Sequence, residues 1–454
     1  MFVAQEKGYI MKLLLCLAML WANTTMAATP KHDNTKLFVK MKTGYTVPDL
    51  KSMTGVKHLF NNLFLVHTSH AEQLQAELKK YDSVEMTRFN YYSQAKELPK
   101  PQAIKSGLGL GGPEFESQAF NDPRVNMIWS FKDADDQGVS VEKSYLTPLA
   151  GEQESIIVAV VDTGVDYKHE DLKDVMWVNT KEIPGNGIDD DGNGYIDDIH
   201  GINTLKRRAD GSAYGNPMAS HSHGTHVAGT IGATQNNNIG IAGIASNVQI
   251  MAIRAVPDAA DETDADVVES YLYAAKHGAK LINCSFGKSV NEGGMIVKET
   301  IDYIGQTYGV LVLAAAGNDY GRNIDTDRAY PASYESDYLL VVASTNKWGR
   351  LSWFSNIGPN SVDLAAPGSD IYSTVKGNKY AEMSGTSMAT PTTTGVAAKV
   401  LNHFPELGPV ELKKVLMDSV TPVKSFQGKM VAPGRVDLYN SLMYAMENFT
   451  QLTK

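Results

Sequence analysis

The sequence predicts an α/β fold: a doubly wound, mostly parallel sheet with helices on both faces, preceded by a small α+β unit. Apolar runs bounded by breakers recur after about Phe120, among them SIIVAVVDTG, VQIMAIRAV and GVLVLAAAGN. Helix-like segments such as DADVVESYLYAAKHG and VKETIDYIGQTYG alternate with these runs. Near-continuous apolar strands alternating with helices indicate a parallel sheet covered on both faces. At 454 residues the chain exceeds one ordinary core, which favours one large domain with an appendage.

Residues 1–27 have the pattern of a secretory signal peptide. Lys12 precedes the apolar run LLLCLAMLWA, and the small-residue site TMA-A follows it, so we expect cleavage after Ala27. The run is short for a bilayer crossing, and the leucine before Cys16 is atypical of a lipid anchor. We therefore expect a secreted protein, extracellular or periplasmic, without a stable membrane anchor. Once the signal is removed, Cys284 is the single cysteine, so no internal disulfide is expected.

Residues 28–95 predict a small separate unit. KLFVKMK, NLFLVHT and VEMTRFNYY are typical of strands, and HAEQLQAELKKY is typical of an amphipathic helix. Residues 96–119 follow, rich in proline and glycine, as in a linker. Residues 120–454 then form the large domain. The net charge of −10 argues against nucleic acid as the main partner.

Polar residues follow several of the predicted strands. Asp162 ends IIVAVVD, Ser285 and Gly287 follow KLINC, and Asn318 follows VLVLAAAG. Ligands of such sheets bind beyond the carboxyl ends of the strands, so these residues are candidates for a site. A turn-forming role is the alternative for Asp162 and Asn318.

The segment HSHGTHVAGT contains His221, His223 and His226 within six residues. This spacing resembles that of metal ligands. No glutamate stands where an HExxH protease needs its base, so the zinc interpretation has weak support.

The segment MSGTSMATP places Ser387 at the start of a predicted helix. Serine and threonine are common helix caps, which is the simpler explanation. A helix N-terminus also favours developing negative charge, which suits a nucleophile if the chain supplies a base.

Four segments in this order, AVVDTGVD, HSHGTHVAGT, AAAGN and SGTSMATP, closely resemble the signature blocks of subtilisin-like serine proteases. The resemblance covers roughly residues 120–445 and implies a subtilisin-like fold and an Asp-His-Ser triad. It implies Ser387 as nucleophile, His223 as general base and Asp162 as the residue that orients the imidazole. It also implies that Asn318 donates its amide to the oxyanion. The motif, not the spacing, selects His223 over His226.

The resemblance also implies contacts with polypeptide substrates. A backbone edge that pairs with the extended substrate is expected at Ser285, Phe286 and Gly287. The wall of the primary specificity pocket is expected from Ala314, Ala315, Ala316 and Gly317. It further implies that residues 28–95 are an inhibitory propeptide that covers the active-site face, with a first cut by Ser387 itself between about Lys105 and Asn121.

One position departs from the family pattern. Members usually carry histidine directly after the proline that follows the nucleophile, and this chain has Thr392. We expect altered packing behind the serine rather than lost chemistry.

The segment GNGIDDDGNGYIDD is a candidate Ca²⁺ site, since hard oxygen ligands at EF-hand-like spacing suit this ion. Its expected ligands are Asp189, Asp191, Asn193, Asp197 and Asp198. His200 stands where an EF-hand has its twelfth-position glutamate, so the loop is not an EF-hand. A solvated acidic turn is the alternative.

The sequence thus predicts a secreted serine endopeptidase that acts through an acyl-enzyme and is made as an autoprocessed zymogen. Two alternatives remain open: a non-catalytic peptide-binding homologue, and a metal-dependent hydrolase using His221, His223 and His226.

Overall fold

A computed structural model describes residues 32–91, 116–149, 151–152, 154–208, 212–289, 291 and 294–449. The predicted signal peptide, residues 1–27, lies outside these ranges, and so does nearly all of the predicted linker, residues 96–119. None of the helices within the ranges has both the length and the apolar character that a membrane crossing requires.

The N-terminal unit is a four-stranded antiparallel sheet with one helix against it. Its elements are β1 (His32–Met41), β2 (Met53–Phe60), β3 (Leu63–Thr68), α1 (Ala71–Leu78) and β4 (Val84–Tyr91). The strands lie in the order β2-β3-β1-β4. Because side chains alternate along a strand, Leu37, Val39 and Met41 of β1 share one face and pack with Leu74 and Leu78 of α1.

The large domain contains the other helices and strands that the structure describes. The first are α2 (Val141–Leu146), β5 (Ile156–Asp162), β6 (Gly201–Arg207), β7 (Ala213–Tyr214), α3 (His223–Gly232), β8 (Val248–Arg254), α4 (Asp264–Lys276) and β9 (Leu281–Cys284). The next are α5 (Ile296–Tyr308), β10 (Leu311–Ala315), β11 (Leu339–Thr345), β12 (Leu364–Pro367), β13 (Ile371–Val375) and β14 (Lys379–Met383). The last are α6 (Thr386–His403), α7 (Pro409–Asp418), β15 (Thr421–Pro422), β16 (Gly434–Arg435) and α8 (Leu438–Phe449).

Ten strands of this domain form one sheet in the order β15-β16-β12-β11-β10-β9-β5-β8-β6-β7. Every neighbouring pair from β16 to β6 is parallel. The edge pairs β15-β16 and β6-β7 are antiparallel. The prediction of a mostly parallel sheet is confirmed.

Alternate residues of β5 show that helices cover both faces of the sheet. Val158 and Val160 belong to one apolar cluster, which includes residues of α3 and α6. Ala159 and Val161 belong to a second cluster, which includes residues of α4 and α5. All four side chains are fully buried, and the strand is apolar from Ile156 to Val161 because both of its faces are covered.

The N-terminal unit packs on α4 and α5. The ring of Phe60 stacks on Tyr303 of α5, with centroids 4.6 Å apart. Asn90 Oδ1 accepts a hydrogen bond of 3.1 Å from the backbone N–H of Ala265, in the first turn of α4. These contacts belong to the described residues 32–91, and residues 96–115 of the predicted linker lie outside the described ranges.

A buried carboxylate anchors this interface. Lys57 Nζ of the N-terminal unit lies 2.9 Å from Glu269 Oε1 of α4, and Arg207 binds the other carboxylate oxygen. Burial alone would raise the pKa of the Glu269 carboxyl, but Lys57 and Arg207 lower that pKa to about 2. Glu269 is therefore held as a carboxylate between a cation from each part of the chain.

Replacing Lys57 tests this anchor. Lys57→Ala, made in a Ser387→Ala background to prevent autolysis, should lower the melting temperature by a few degrees. Hydrogen bonds to charged groups contribute roughly 1.5–3 kcal/mol, less here because the Lys57 side chain is 44% exposed. The stability that the Glu269 carboxylate contributes is present above the unfolded pKa of 4.5 and is lost as pH falls through about 2. The difference in melting temperature between Lys57→Ala and its parent should therefore persist from pH 8 to pH 5. Lys51→Ala, at an exposed lysine of the same unit, is the control, and equal melting temperatures for the two variants would contradict the expectation.

Candidate active site

Asp162 and His223 form a buried pair at the carboxyl edge of the sheet. Asp162 is the last residue of β5, and His223 is the first residue of α3. Both side chains are 1% exposed, and His223 Nδ1 lies 2.8 Å and 3.0 Å from the two carboxylate oxygens. An imidazole that donates from Nδ1 keeps Nε2 as an acceptor. The pair therefore holds the tautomer that a general base needs.

Gly224 allows α3 to begin this close to β5. A Cβ at this position would lie 2.3 Å from the carbonyl oxygen of Gly164 and 3.0 Å from Cβ of Asp162. Any larger residue would therefore push the helix away from the strand, and with it the imidazole of His223.

Ser387 lies in the first turn of α6 and is 6% exposed. The first N–H groups of a helix have no acceptor four residues earlier. Here that of Thr386 donates to Asn318, and those of Met388 and Ala389 donate to the carbonyl oxygen of Gly385, while that of Ser387 lies beside its own hydroxyl. The Ser387 hydroxyl donates to the carbonyl oxygen of Ser285 at 3.0 Å, and the Ser285 hydroxyl donates to the carbonyl oxygen of Ser387 at 2.9 Å. Within the described ranges, the buried Nε2 of His223 has no hydrogen-bond partner. The Asp-His pair is thus formed, while the serine hydroxyl is directed to the neighbouring strand end.

Asn318 is fixed by the start of the same helix. Its Oδ1 accepts hydrogen bonds of 2.9 Å from both the backbone N–H and the hydroxyl of Thr386. The Thr386 hydroxyl in turn accepts from the backbone N–H of Gly317 at 3.1 Å. With its oxygen used in this way, the Asn318 side chain has its two amide N–H groups left to donate.

Ser387 and Asn318 line a cavity of about 530 Å³. Six of the seven predicted substrate contacts line the same cavity: Ser285, Phe286, Gly287, Ala315, Ala316 and Gly317. Ala314 is the exception, because it is fully buried within β10.

Two charged residues at one end of this cavity were missed by sequence reasoning. Glu262 is 3% exposed, and Lys288 Nζ binds Asp264 at 2.7 Å. Burial raises the pKa of the Glu262 carboxyl to about 8. Glu262 precedes α4 and Lys288 follows the Ser285–Gly287 edge, and neither segment has a motif that singles these residues out.

The histidines of the HSHGTH segment do not converge on one point. Nε2 of His226 lies 2.8 Å from the carbonyl oxygen of Ile371, and burial lowers the pKa of this imidazole to about 3. His221 Nδ1 accepts from the backbone N–H of His223 at 3.2 Å. Among the described residues, these three histidines do not form a group with metal-ligand spacing.

Acidic side chains do come together in the loop that was predicted to bind Ca²⁺. Oxygens of Glu182, Asp189 and Asp191 lie within 4.8 Å of one another. Glu182 is only 6% exposed, and it was missed by sequence reasoning because it precedes the aspartate run by several residues.

The predicted ligands accept hydrogen bonds within the protein, Asp189 and Asp191 from the backbone N–H of Asn193 at 3.1 Å and 3.0 Å. Asp197 accepts from the backbone N–H groups of residues 185 and 187. The buried Asp198 accepts from Tyr273 at 2.6 Å and from the Asn193 amide at 3.0 Å. These contacts close the loop around the carboxylates of Glu182, Asp189 and Asp191.

Thr392, which departs from the family pattern, is fully buried within α6. Its hydroxyl donates to the carbonyl oxygens of Met388 at 3.0 Å and Pro367 at 3.2 Å. A threonine therefore satisfies its polar group here without any role in the cavity.

The model of the Subtilase family matches residues 153–437, more than half of the chain, a range that contains the four predicted catalytic positions. The chain belongs to the subtilase family. This subtilase is 31% identical over 366 residues to subtilisin-like protease 1 of Plasmodium berghei, covering 76% of this chain and 58% of the relative. It is 33% identical over 287 residues to thermitase of Thermoactinomyces vulgaris, covering 63% of this chain and 88% of the relative.

The subtilase spans about half the length of several relatives, 58% of the Plasmodium berghei protein and 44% of its Plasmodium falciparum counterpart. Among solved structures, fervidolysin of Fervidobacterium pennivorans, a keratinolytic enzyme related to subtilisin, matches with a TM-score of 0.65 at 24% identity. This match covers 91% of the subtilase and 61% of fervidolysin. It supports the subtilisin-like α/β fold.

The buried carboxyl of Glu262 predicts a pH-dependent cost to stability. The pKa of this carboxyl is about 8 in the folded protein, above the ordinary 4.5. The protonated Glu262 therefore does not lower the stability below about pH 4.5, and the free energy of unfolding decreases as pH rises from 4.5 to about 8. In a Ser387→Ala background, Glu262→Gln should match the parent's melting temperature at pH 4.5 and exceed it by several degrees at pH 9. Glu335→Gln, at an exposed position, controls for the lost charge. An equal difference in melting temperature between Glu262→Gln and its parent at both pH values would show that Glu262 is not protonated in the folded protein.

Proposed function

We propose that this subtilase is a secreted serine endopeptidase, hydrolysing peptide bonds through an acyl-enzyme formed on Ser387. The observation that carries the proposal is the buried contact of 2.8 Å between Asp162 and His223, in a chain whose Ser387 and Asn318 line one open cavity. An orienting carboxylate, a base, a nucleophile and an amide donor are the groups that acyl transfer requires.

In the proposed reaction, Ser387 Oγ attacks the scissile carbonyl carbon and His223 Nε2 takes the hydroxyl proton. For this step the hydroxyl has to turn from the Ser285 carbonyl towards the imidazole, and catalytic hydrogen bonds often tighten only when substrate is present. Asp162 stabilises the imidazolium. His223 then gives its proton to the leaving amine, and a water molecule hydrolyses the acyl-enzyme by the same route.

The negative oxygen of the tetrahedral intermediate would be bound by Asn318 and by the start of α6. Thr386 fixes the Asn318 oxygen with two hydrogen bonds, which leaves the amide N–H groups as donors. The backbone N–H of Ser387, in the first turn of α6, is the second donor, and the helix N-terminus favours the charge. Donors that are already held in place need no reorganisation during the reaction.

Extended polypeptides are the proposed substrates. The backbone from Ser285 to Gly287 offers a strand edge along the cavity, and Ala315, Ala316 and Gly317 line it as well. Pairing through the main chain gives affinity for many sequences. The small residues leave room for a sizeable side chain next to the cleaved bond.

We further propose that residues 28–95 are an inhibitory propeptide and that the first cut falls in the linker of residues 96–119. The four-stranded unit packs on α4 and α5 through Phe60 and Lys57, and this association with the large domain of residues 120–454 supports the proposal. The proposal of secretion rests on the signal-peptide pattern of residues 1–27.

A metal-dependent hydrolase is the weaker alternative, because His226 is engaged with Ile371 and His223 with Asp162. A non-catalytic peptide-binding role would require a missing catalytic group, and all four are present.

We propose that Glu182, Asp189 and Asp191 hold a structural Ca²⁺ ion. Their oxygens lie within 4.8 Å of one another, and clustered carboxylate oxygens are the ligands that this hard cation prefers. When bound, the ion would offset the mutual repulsion of the carboxylates and stabilise the loop. It has no part in the peptide-bond chemistry proposed above.

The Ser387→Ala variant tests the mechanism. It should lose activity on casein by several orders of magnitude, because the triad acts as a unit, and it should not react with a fluorophosphonate that labels the wild type. Expressed from residue 28, it should stay full length while the wild type shortens by roughly the mass of the N-terminal unit. Ser155→Ala, at an exposed serine, should match the wild type in all three measurements. Full turnover by Ser387→Ala together with none by His226→Ala would support the metal hydrolase instead.

Calcium removal tests the acidic loop. A chelator should lower the melting temperature of the otherwise unmodified Ser387→Ala chain by several degrees, because an ion that binds only the native state stabilises it by mass action, about 2.7 kcal/mol at 100 times Kd. Glu182→Gln and Asp191→Asn should abolish this response. Asp190→Asn, at an exposed neighbour, should retain it. A chelator without effect on any of these chains would leave the loop as a solvated acidic turn.

A further inference from the structure

Three large aromatic side chains stand exposed at the mouth of the catalytic cavity. Tyr320, Trp348 and Trp353 are 76%, 68% and 73% exposed, and all three line the cavity that also contains Ser387 and Asn318. We call these three residues the aromatic rim. Scattered exposed apolar residues are ordinary, but a contiguous group beside a catalytic cavity is typical of a binding surface.

The rim is held in place before any ligand binds. The rings of Tyr320 and Trp353 lie 5.2 Å apart between centroids, within the range of favourable aromatic pairs. The backbone N–H of Tyr320 donates to the carbonyl oxygen of Phe354 at 3.0 Å. Tyr320 has a φ of +60°, a left-handed conformation that is unfavourable for a bulky residue. The surrounding contacts therefore keep this ring at the cavity against a local backbone preference.

Hydrogen bonds connect the rim to the segment that contains Asn318. The Asn356 amide donates to the carbonyl oxygen of Ala316 at 3.0 Å, and its oxygen accepts from the backbone N–H of Asp319 at 2.9 Å. The backbone N–H of Asn356 donates to the carbonyl oxygen of Gly317 at 2.9 Å. The loop carrying Trp353 and the residues on either side of Asn318 are thus one hydrogen-bonded unit.

Trp348 is presented by a closed turn after β11. The backbone N–H of Asn346 donates to the carbonyl oxygen of Arg350 at 2.9 Å, and the Asn346 side chain accepts from the backbone N–H of Trp348 at 3.1 Å. The indole therefore projects from a turn with a defined shape rather than from a loose loop.

We propose that the aromatic rim is a subsite that binds a large apolar side chain of the polypeptide substrate within a few residues of the cleaved bond. This inference rests on the proposed endopeptidase function. A polypeptide is the occupant we infer, because the rim and Ser387 line one cavity, so a chain bound at Ser387 and extended along that cavity reaches the rim. Aromatic rings bury much apolar area with little loss of conformational freedom, which suits them to hold a phenylalanine or leucine side chain.

The test uses internally quenched peptides with phenylalanine or serine at one position, scanned over three residues on each side of the cleaved bond. For the full chain, kcat/KM should favour phenylalanine at one or two positions by about tenfold or more, from the apolar area buried. Trp353→Ala and Tyr320→Ala should each reduce this preference to within about twofold, because they slow the phenylalanine peptide more than the serine peptide. Trp353→Phe should restore most of the preference.

The matched control is Tyr214→Ala, at a half-exposed tyrosine of β7 that does not line the cavity. It should keep the wild-type preference. The rim is overturned as a subsite if the phenylalanine preference survives both rim substitutions, or if they slow the serine and phenylalanine peptides equally. In that last case they act on the fold or on Asn318 rather than on a substrate side chain.

A binding measurement separates the rim from the chemistry. The Ser387→Ala chain should bind the preferred phenylalanine peptide about tenfold more tightly than the serine peptide, by fluorescence anisotropy, and the Ser387→Ala, Trp353→Ala chain should bind them equally. Competition from the N-terminal unit lowers both affinities by the same factor and leaves the ratio intact. If the wild type hydrolyses neither peptide but the Ser387→Ala chain shows the tenfold ratio of affinities, the endopeptidase function is refuted and the rim remains a binding site. If the wild type is active but the Ser387→Ala chain binds both peptides equally, the rim proposal alone is refuted.

Discussion

Helix α6 lies buried along almost its whole length, although much of its sequence is polar. Four of its threonine hydroxyls donate to carbonyl oxygens four residues earlier in the same helix, those of Thr390, Thr392, Thr393 and Thr394. Buried polar groups are tolerated when they are hydrogen-bonded, so the helix can pass through the core. Gly395 lets it pack closely on Ile244 and on α3, since a Cβ there would lie 2.7 Å from Cβ of Ile244 and 3.3 Å from the carbonyl oxygen of Ile231. The position of the whole candidate site depends on this packing.

The N-terminal turn of α6 is bound to two strand ends at once. Thr386 binds Asn318, which follows β10, and Ser387 exchanges hydrogen bonds with Ser285, which follows β9. Because β9 and β10 are parallel neighbours, their carboxyl ends lie at one edge of the sheet, and one helix start can reach both. The nucleophile and the amide donor are therefore placed by the same few contacts. A shift of the helix would move them together.

Much of the fold could be predicted because each strand and helix has its own sequence pattern. A strand covered on both faces is apolar at successive positions, as β5 is from Ile156 to Val161. Asp162, His223, Asn318 and Ser387 stand in short motifs and were recognised for that reason. Glu182 was not, because it stands outside the aspartate run although it accepts hydrogen bonds from the backbone of that run. Glu262 was not, because its significance arises from burial in the folded chain. The exposure of Trp353 was equally hidden, since an aromatic residue in a sequence most often indicates core. The face by which the N-terminal unit packs on α4 also depends on long-range contacts.

The first turn of α4 is completed by two separate parts of the chain. The Thr263 hydroxyl accepts from the backbone N–H of Asp266, within the large domain, while Asn90 of the N-terminal unit supplies the acceptor for Ala265. Departure of that unit would leave the Ala265 amide to water, only three residues after Glu262 at the cavity. If the unit is removed as we propose, the two forms of the protein differ in how this helix is capped. The helix would keep the Thr263 cap and exchange a protein acceptor for water at Ala265.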